Sequence, residues 1–255
     1  MKLTFLGTGT SQGVPVIACN CSVCLSEDPK DKRLRTSVMI TIDGLNYVID
    51  SGPDFRQQML RERVQDLTAV LFTHEHKDHV AGMDDVRAFN FKYQKAMDVY
   101  CDENVQRALF REYPYVFSDV KYPGVPKVNI NLVDKNQNIC MGEHVFTPIE
   151  VMHHKLPVLG YRIKDLTYIT DAKTISPVEI EKMRGTKVLV LNALRKEAHI
   201  SHFNLEEALQ MIDLIKPEKA YLTHISHLMG RHESVTKQLP DHVFMAYDGL
   251  QVEIE

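Results

Sequence analysis

The chain has 255 residues, 44% of them hydrophobic and 25% charged, which is the make-up of a globular protein and excludes a disordered or fibrous one. Its formal charge of −4, with Lys and Arg spread along the sequence, argues against a broad basic face for nucleic acid. No run approaches the ~20 apolar residues that span a bilayer, and the opening MKLTFLGTGT meets glycine too early for a secretory leader, so a cytoplasmic protein is expected.

In chain order, short runs rich in Val, Ile, Leu, Phe and Tyr predict strands at residues 2–6, 38–42, 47–49, 69–72, 145–151, 160–163, 167–169, 188–191, 220–222 and 243–246. Between the first two lie Cys19, Cys21 and Cys24, three thiols within six residues. In a reducing compartment that spacing points to a soft tetrahedral cation rather than a disulfide. Cys101 and Cys140 stand alone and read as small buried hydrophobes. The clearest helix is 205–216, where Leu205, Ala208, Leu209, Ile212 and Ile215 share a face. Asn204 precedes it as N-cap, and Glu207 completes a capping box. Two halves are faintly alike: strands ending at Asp50 and at Thr73-His74 are echoed by strands ending at Thr170-Asp171 and Thr223-His224. No linker or low-complexity stretch interrupts residues 1–255, so one four-layer α/β sandwich with a shared site is expected.

The most informative stretch is Thr73-His74-Glu75-His76-Lys77-Asp78-His79. It follows a predicted strand, and residues two apart in extended chain point the same way, so His74 and His76 can hold one cation together. Asp78 and His79, where the chain turns, can face a second. Imidazole and carboxylate donors accept zinc, iron or manganese. Farther on, His202 lies just before the capped helix, where a helix N-terminus favours an anion and an imidazole suits proton donation near neutral pH.

His74-x-His76-x-Asp78-His79 resembles the signature of the metallo-β-lactamase superfamily. Gly7-Thr8-Gly9-Thr10-Ser11-Gln12-Gly13-Val14-Pro15, the cysteine cluster, and His79-Val80-Ala81-Gly82-Met83-Asp84-Asp85-Val86-Arg87 extend the resemblance to the phosphoribosyl 1,2-cyclic phosphodiesterase branch of carbon–phosphorus lyase pathways. The resemblance implies the αββα sandwich of that superfamily. It also implies a seven-ligand site: His74, His76 and His153 on one metal, Asp78, His79 and His224 on the other, and Asp171 between them. His153 is preferred to its neighbour His154 as ligand. Two divalent ions, zinc or manganese, would share a water made acidic enough to react near neutral pH. Asp50 resembles the carboxylate that orients ligands without binding metal. His202 and Asp78 are the residues expected to act in the reaction, His202 as proton donor. Asp85 and Arg87 are candidates for substrate contact, with a structural ion pair as the alternative. His227 is implied as the fourth ligand that joins Cys19, Cys21 and Cys24 in a structural zinc site. His199, His144 and His232 read as surface positions.

The resemblance thus implies a hydrolase for a small cyclic phosphodiester, with no stable nucleic-acid partner, no membrane, and a possible homodimer. A tRNA 3′-processing endonuclease is the nearest rival, but no basic insertion offers a tRNA-gripping arm. A thioesterase and a non-catalytic metal-binding accessory protein of the same fold are the others.

Overall fold

The computed structural model describes residues 1–120 and 122–255. Its strands are β1 (Lys2–Gly7), β2 (Ser37–Ile42), β3 (Leu45–Ile49), β4 (Ala69–Leu71), β5 (Met97–Cys101), β6 (Val128–Leu132), β7 (Ile139–Met141), β8 (His144–His153), β9 (Leu156–Ile163), β10 (Leu166–Tyr168), β11 (Thr174–Ile175), β12 (Val188–Asn192), β13 (Lys219–Thr223), β14 (Val243–Met245) and β15 (Gln251–Glu253). One sheet runs β15–β1–β2–β3–β4–β5–β6; the other runs β11–β8–β9–β10–β12–β13–β14, with β7 paired to β8.

The alternation of side chains along these strands decides what each face buries. Leu3, Phe5, Val38, Ile40, Tyr47 and Ile49 of the first sheet meet Phe146, Tyr161, Tyr168 and Val190 of the second in one core cluster. The opposite face of the first sheet, with Met39, Val48, Val70 and Val99, packs under Phe55, Met59, Val86, Phe89, Val105 and Leu109 of helical segments. The outer face of the second sheet, with Val151, Leu189, Leu191 and Leu222, packs under Ala208, Ile212 and Ile215 of the helix Leu205–Ile215. The result is the expected αββα sandwich. No helix among the described residues is long and apolar enough to cross a membrane.

All ten expected strands are present, with no end shifted by more than four residues. Among the described residues, five further strands escape the sequence reading. β11, β7 and β15 are two or three residues long, too short for a periodic signal. β6 alternates Val and Ile with Asn129 and Asn131, and asparagine reads as a turn residue. β5 carries Asp98 in the middle of its run, which hides a parallel strand between β4 and β6.

Three surface or burial expectations are corrected. Cys101 is buried as expected, but Cys140 is exposed, because the pleat of β7 turns Ile139 inward and its neighbour out. His144 is buried: its Nε2–H donates to Asp43 at 3.0 Å and its Nδ1 accepts from the Tyr47 hydroxyl at 2.8 Å. His232 is buried too, where its backbone N–H donates to Asp31 at 2.7 Å and its Nδ1 faces the Arg33 guanidinium at 3.3 Å. Both ring nitrogens of His144 are paired, and His232 has Nδ1 against Arg33 and its backbone amide on Asp31, which removes much of the usual objection to burying them.

Candidate active site

Strand ends deliver the side chains. Asp50 follows β3, His74 and His76 follow β4, His153 ends β8, Asp171 lies just past β10, and His224 follows β13. Asp78 and His79 stand on the four-residue helix Lys77–Val80. Asp50, Asp171 and His224 all have left-handed backbone, with φ of 65°, 56° and 55°. Non-glycine residues seldom adopt it, and such local strain gathers at functional sites. Two glycines allow the short helix to sit where it does. A Cβ on Gly52 would lie 2.0 Å from the Asp78 carbonyl oxygen, and one on Gly82 would lie 2.1 Å from that of Gly52.

The side chains converge. Ring centroids of His74 and His76 are 4.5 Å apart, those of His76 and His153 5.3 Å, and those of His74 and His79 4.2 Å. Donor atoms of Asp78, His79 and His224 lie within 4.8 Å of one another, as do those of His74, His79 and Asp171. Of the paired candidates, His153 points into this cluster, whereas His154 is exposed at the turn after β8.

One nitrogen of several rings is held from behind. His79 Nδ1–H donates to Asp50 Oδ2 at 2.6 Å, and His74 Nδ1–H donates to the Thr73 hydroxyl at 3.0 Å. His153 Nδ1–H meets the carbonyls of Ser201 and Asp171 at 2.9 and 3.1 Å, and His224 Nε2–H donates to the Thr10 hydroxyl at 3.2 Å. Asp50 is itself fixed by the Thr73 amide and hydroxyl, both at 2.8 Å. The opposite nitrogens of His74, His79 and His224 are buried without a hydrogen-bond partner among the described residues. His79 Nε2 lies 3.2 Å from Asp78 and 3.4 Å from Asp171, and His224 Nδ1 lies 3.3 Å from Asp171, without hydrogen-bond geometry. Buried donors or acceptors left unpaired are costly, and imidazoles held from behind with the other nitrogen free are the arrangement of metal ligands. The donor set fits divalent cations.

The electrostatics agree with burial among opposite charges. Burial opposes the Asp171 charge, but His224, His79 and the hydrogen bond from His202 hold its carboxyl well below the usual range. Burial likewise opposes a charge on His79, and Asp78, Asp50 and Asp171 outweigh it, raising its pKa well above the ordinary value. His74, with fewer acidic neighbours, is pushed well down by burial. His202 reaches the cluster from residues 194–204, with Nε2–H donating to Asp171 Oδ1 at 3.0 Å.

A second cluster lies beside the first. His227 Nδ1 is 3.2, 3.4 and 3.5 Å from the sulfurs of Cys19, Cys21 and Cys24. The four donors lie within 4.8 Å of one another, which suits a tetrahedral thiolate–imidazole site with no open position.

Not every candidate joins the cluster. Arg87 pairs with Asp84 at 3.3 Å, and Asp85 lines a surface hollow with Phe55, Arg56, Met59 and Phe89. The sequence reading puts His199 at the surface; the structure half-buries it against His202, with ring centroids 5.0 Å apart. Thr10, Thr73 and Ser201 escaped it too. A hydroxyl next to a ligand in sequence gives no periodic or compositional signal, and Thr10 reaches His224 across 214 positions.

Residues 45–225 match the family described as a beta-lactamase superfamily domain. A crystal structure titled as a new diphosphatase from the PhnP family is 38% identical, covers 100% of this chain and 98% of that one, and superposes with a TM-score of 0.93. A Porphyromonas gingivalis protein named octanoyltransferase is 39% identical over 257 residues, covering all of this chain and 52% of that protein. A ribonuclease Z of an Exiguobacterium species is 23% identical over 171 residues, 64% of this chain and 48% of that protein. The chain spans about half the length of these two curated relatives. The chain belongs to the β-lactamase superfamily and, within it, to the PhnP-family branch that its motifs resemble.

Proposed function

We propose that this metal-dependent hydrolase cleaves a small phosphodiester, a cyclic phosphodiester such as a phosphoribosyl cyclic phosphate. The observation that carries the reading is the convergence on Asp171 of buried imidazole nitrogens that have no hydrogen-bond partner among the described residues. His74, His76 and His153 would hold one divalent cation, zinc or manganese, and Asp78, His79 and His224 a second, with Asp171 between them. Cations bound there supply Lewis acidity and a water acidic enough to react near neutral pH.

The chain's own residues do the rest. Asp50 and Thr73 fix the ring planes of His79 and His74. Asp171 holds His202 Nε2–H inside the cluster, at 3.0 Å from its own oxygen. There His202 donates a proton to the departing oxygen, so that an alcohol rather than an alkoxide leaves. Cys19, Cys21, Cys24 and His227 would bind a structural zinc that takes no part in the reaction.

Cleavage of a diphosphate is the second reading, favoured by the full-length likeness to a structure titled as a diphosphatase. In both substrates the phosphoryl group carries two oxygen substituents, and the site meets the same demand. The octanoyl transfer named for the Porphyromonas gingivalis protein is not assigned to this chain, which matches 52% of that protein's length. The test is a panel for the metal-loaded protein: a ribose 1,2-cyclic phosphate, a dinucleoside diphosphate and a 3′-extended tRNA. Preference in kcat/KM for the cyclic ester supports the first reading. Preference for the diphosphate installs the second, and efficient tRNA cleavage overturns both.

A further inference from the structure

The loop that carries His202 holds a second histidine that the catalytic reading leaves without work. Residues 194–203 are closed at their base, where Leu194 N–H donates to the Phe203 carbonyl at 2.9 Å and Phe203 N–H to the Ala172 carbonyl at 2.7 Å. The Arg195 guanidinium ties the interior by donating to the Ala198 carbonyl at 2.8 Å. Inside this frame the Ser201 amide donates to His199 Nδ1 at 3.3 Å, which commits that nitrogen as an acceptor. His202 Nδ1 lies 3.2 Å from the same atom, and the Ser201 hydroxyl closes the triangle at 3.1 Å from His202 and 3.2 Å from His199. The other nitrogen of His202 faces Asp171.

We propose that His199 is the positioning residue of His202, accepting its Nδ1–H and thereby aiming Nε2–H into the site. The inference rests on the reading of His202 as the proton donor. In that step the Nε2–H bond breaks, its electron pair stays on Nε2, and an O–H bond forms on the leaving oxygen. The ring left behind is neutral with its hydrogen on Nδ1, and an acceptor at Nδ1 stabilises that tautomer. His199 supplies the acceptor from a distance of three residues in sequence, within a loop whose carbonyl at Ser201 also orients His153.

A positioning role of this kind is felt only when the leaving group needs a proton. The experiment therefore compares methyl phenyl phosphate, whose phenolate leaves poorly, with methyl 4-nitrophenyl phosphate, whose nitrophenolate leaves unaided. His199→Ala should lower kcat about tenfold or more on the phenyl ester, with KM little changed and the nitrophenyl ester within about twofold. His199→Asn keeps an acceptor oxygen near the Nδ1 position and should recover most of the loss, which keeps the proposal testable if the alanine variant folds poorly. His202→Ala runs alongside and should lose about 10²–10⁴-fold on the phenyl ester alone. If only His202→Ala discriminates between the esters, the His199 proposal is overturned and the acid stands. If His202→Ala slows both esters equally, the reading of His202 as acid is overturned, and the proposal with it.

Discussion

At the scale of single residues the site is built by what stands behind the rings. Asp50 is buried, carries two hydrogen bonds from Thr73, and offers its remaining capacity to His79. Asp50→Asn keeps the shape but puts an uncharged group against His79 Nδ1–H. Metal affinity or turnover should fall about 10–100-fold, read by metal titration and kcat, with little loss of secondary structure. His232 gives a prediction away from the site. Burial and the nearby charges of Arg33 and Lys30 push its pKa down to about 4 from an ordinary 6.5, against the weaker pull of Asp28 and Asp31. Between those values the unfolded chain binds a proton that the folded one refuses. Stability is therefore complete above about pH 6.5 and declines as pH falls toward 4. Denaturant melts across that range should show the decline in the native protein and a flatter profile in His232→Gln. The first of these residues was legible in the sequence because its strand-end Asp matches a family position. The burial of His232 was not, since it depends on Arg33 and Asp31, 199 and 201 positions away.

At the scale of elements, strands and caps were legible where they are long or chemically marked. Asn204 caps the helix Leu205–Ile215, its side chain accepting from the Glu207 amide at 2.8 Å while Glu207 accepts from the Asn204 amide at 2.9 Å, as the sequence pattern indicates. Loss of that box in Asn204→Ala should cost about 1 kcal/mol by denaturant titration. It should also loosen residues 194–203, which enter the helix through it. The helix Lys77–Val80 is different. Its residues spell the metal signature, but nothing local says that it must pack within backbone contact of residues 51–52. The requirement shows only in the structure, where Gly82 N–H donates to the Ser51 carbonyl at 2.7 Å and no Cβ fits at either glycine. Gly82→Ala should overpack this contact, cost about 1–3 kcal/mol, and lower metal affinity by displacing Asp78 and His79. Isothermal titration with zinc or manganese reads the second effect directly.

At the scale of the whole molecule, the two sheets bring together residues from position 50 to position 224, and the faint repeat of strand-end Asp and His in the two halves was the sequence's trace of that arrangement. The small edge strands were not legible, because their place is set by neighbours rather than by their own composition. The cysteine loop adds a long-range tie, since His227 stands three residues after His224 and meets sulfurs more than 200 positions earlier. Cys21→Ser should lose one equivalent of tightly bound zinc and lower the melting temperature, with the residual activity reflecting how far His224 shifts.

One measurement bears on the entire reading: hydrolysis of bis(p-nitrophenyl) phosphate by the zinc- or manganese-loaded protein, with metal content determined on the same samples. Turnover should vanish on chelation, return when metal is restored, and collapse in Asp171→Ala together with loss of the two active-site equivalents. Undiminished turnover in chelated protein or in Asp171→Ala would contradict a reaction centred on this cluster. No turnover in protein carrying both equivalents would remove the phosphodiesterase assignment and leave a metal-binding member of the superfamily with another substrate.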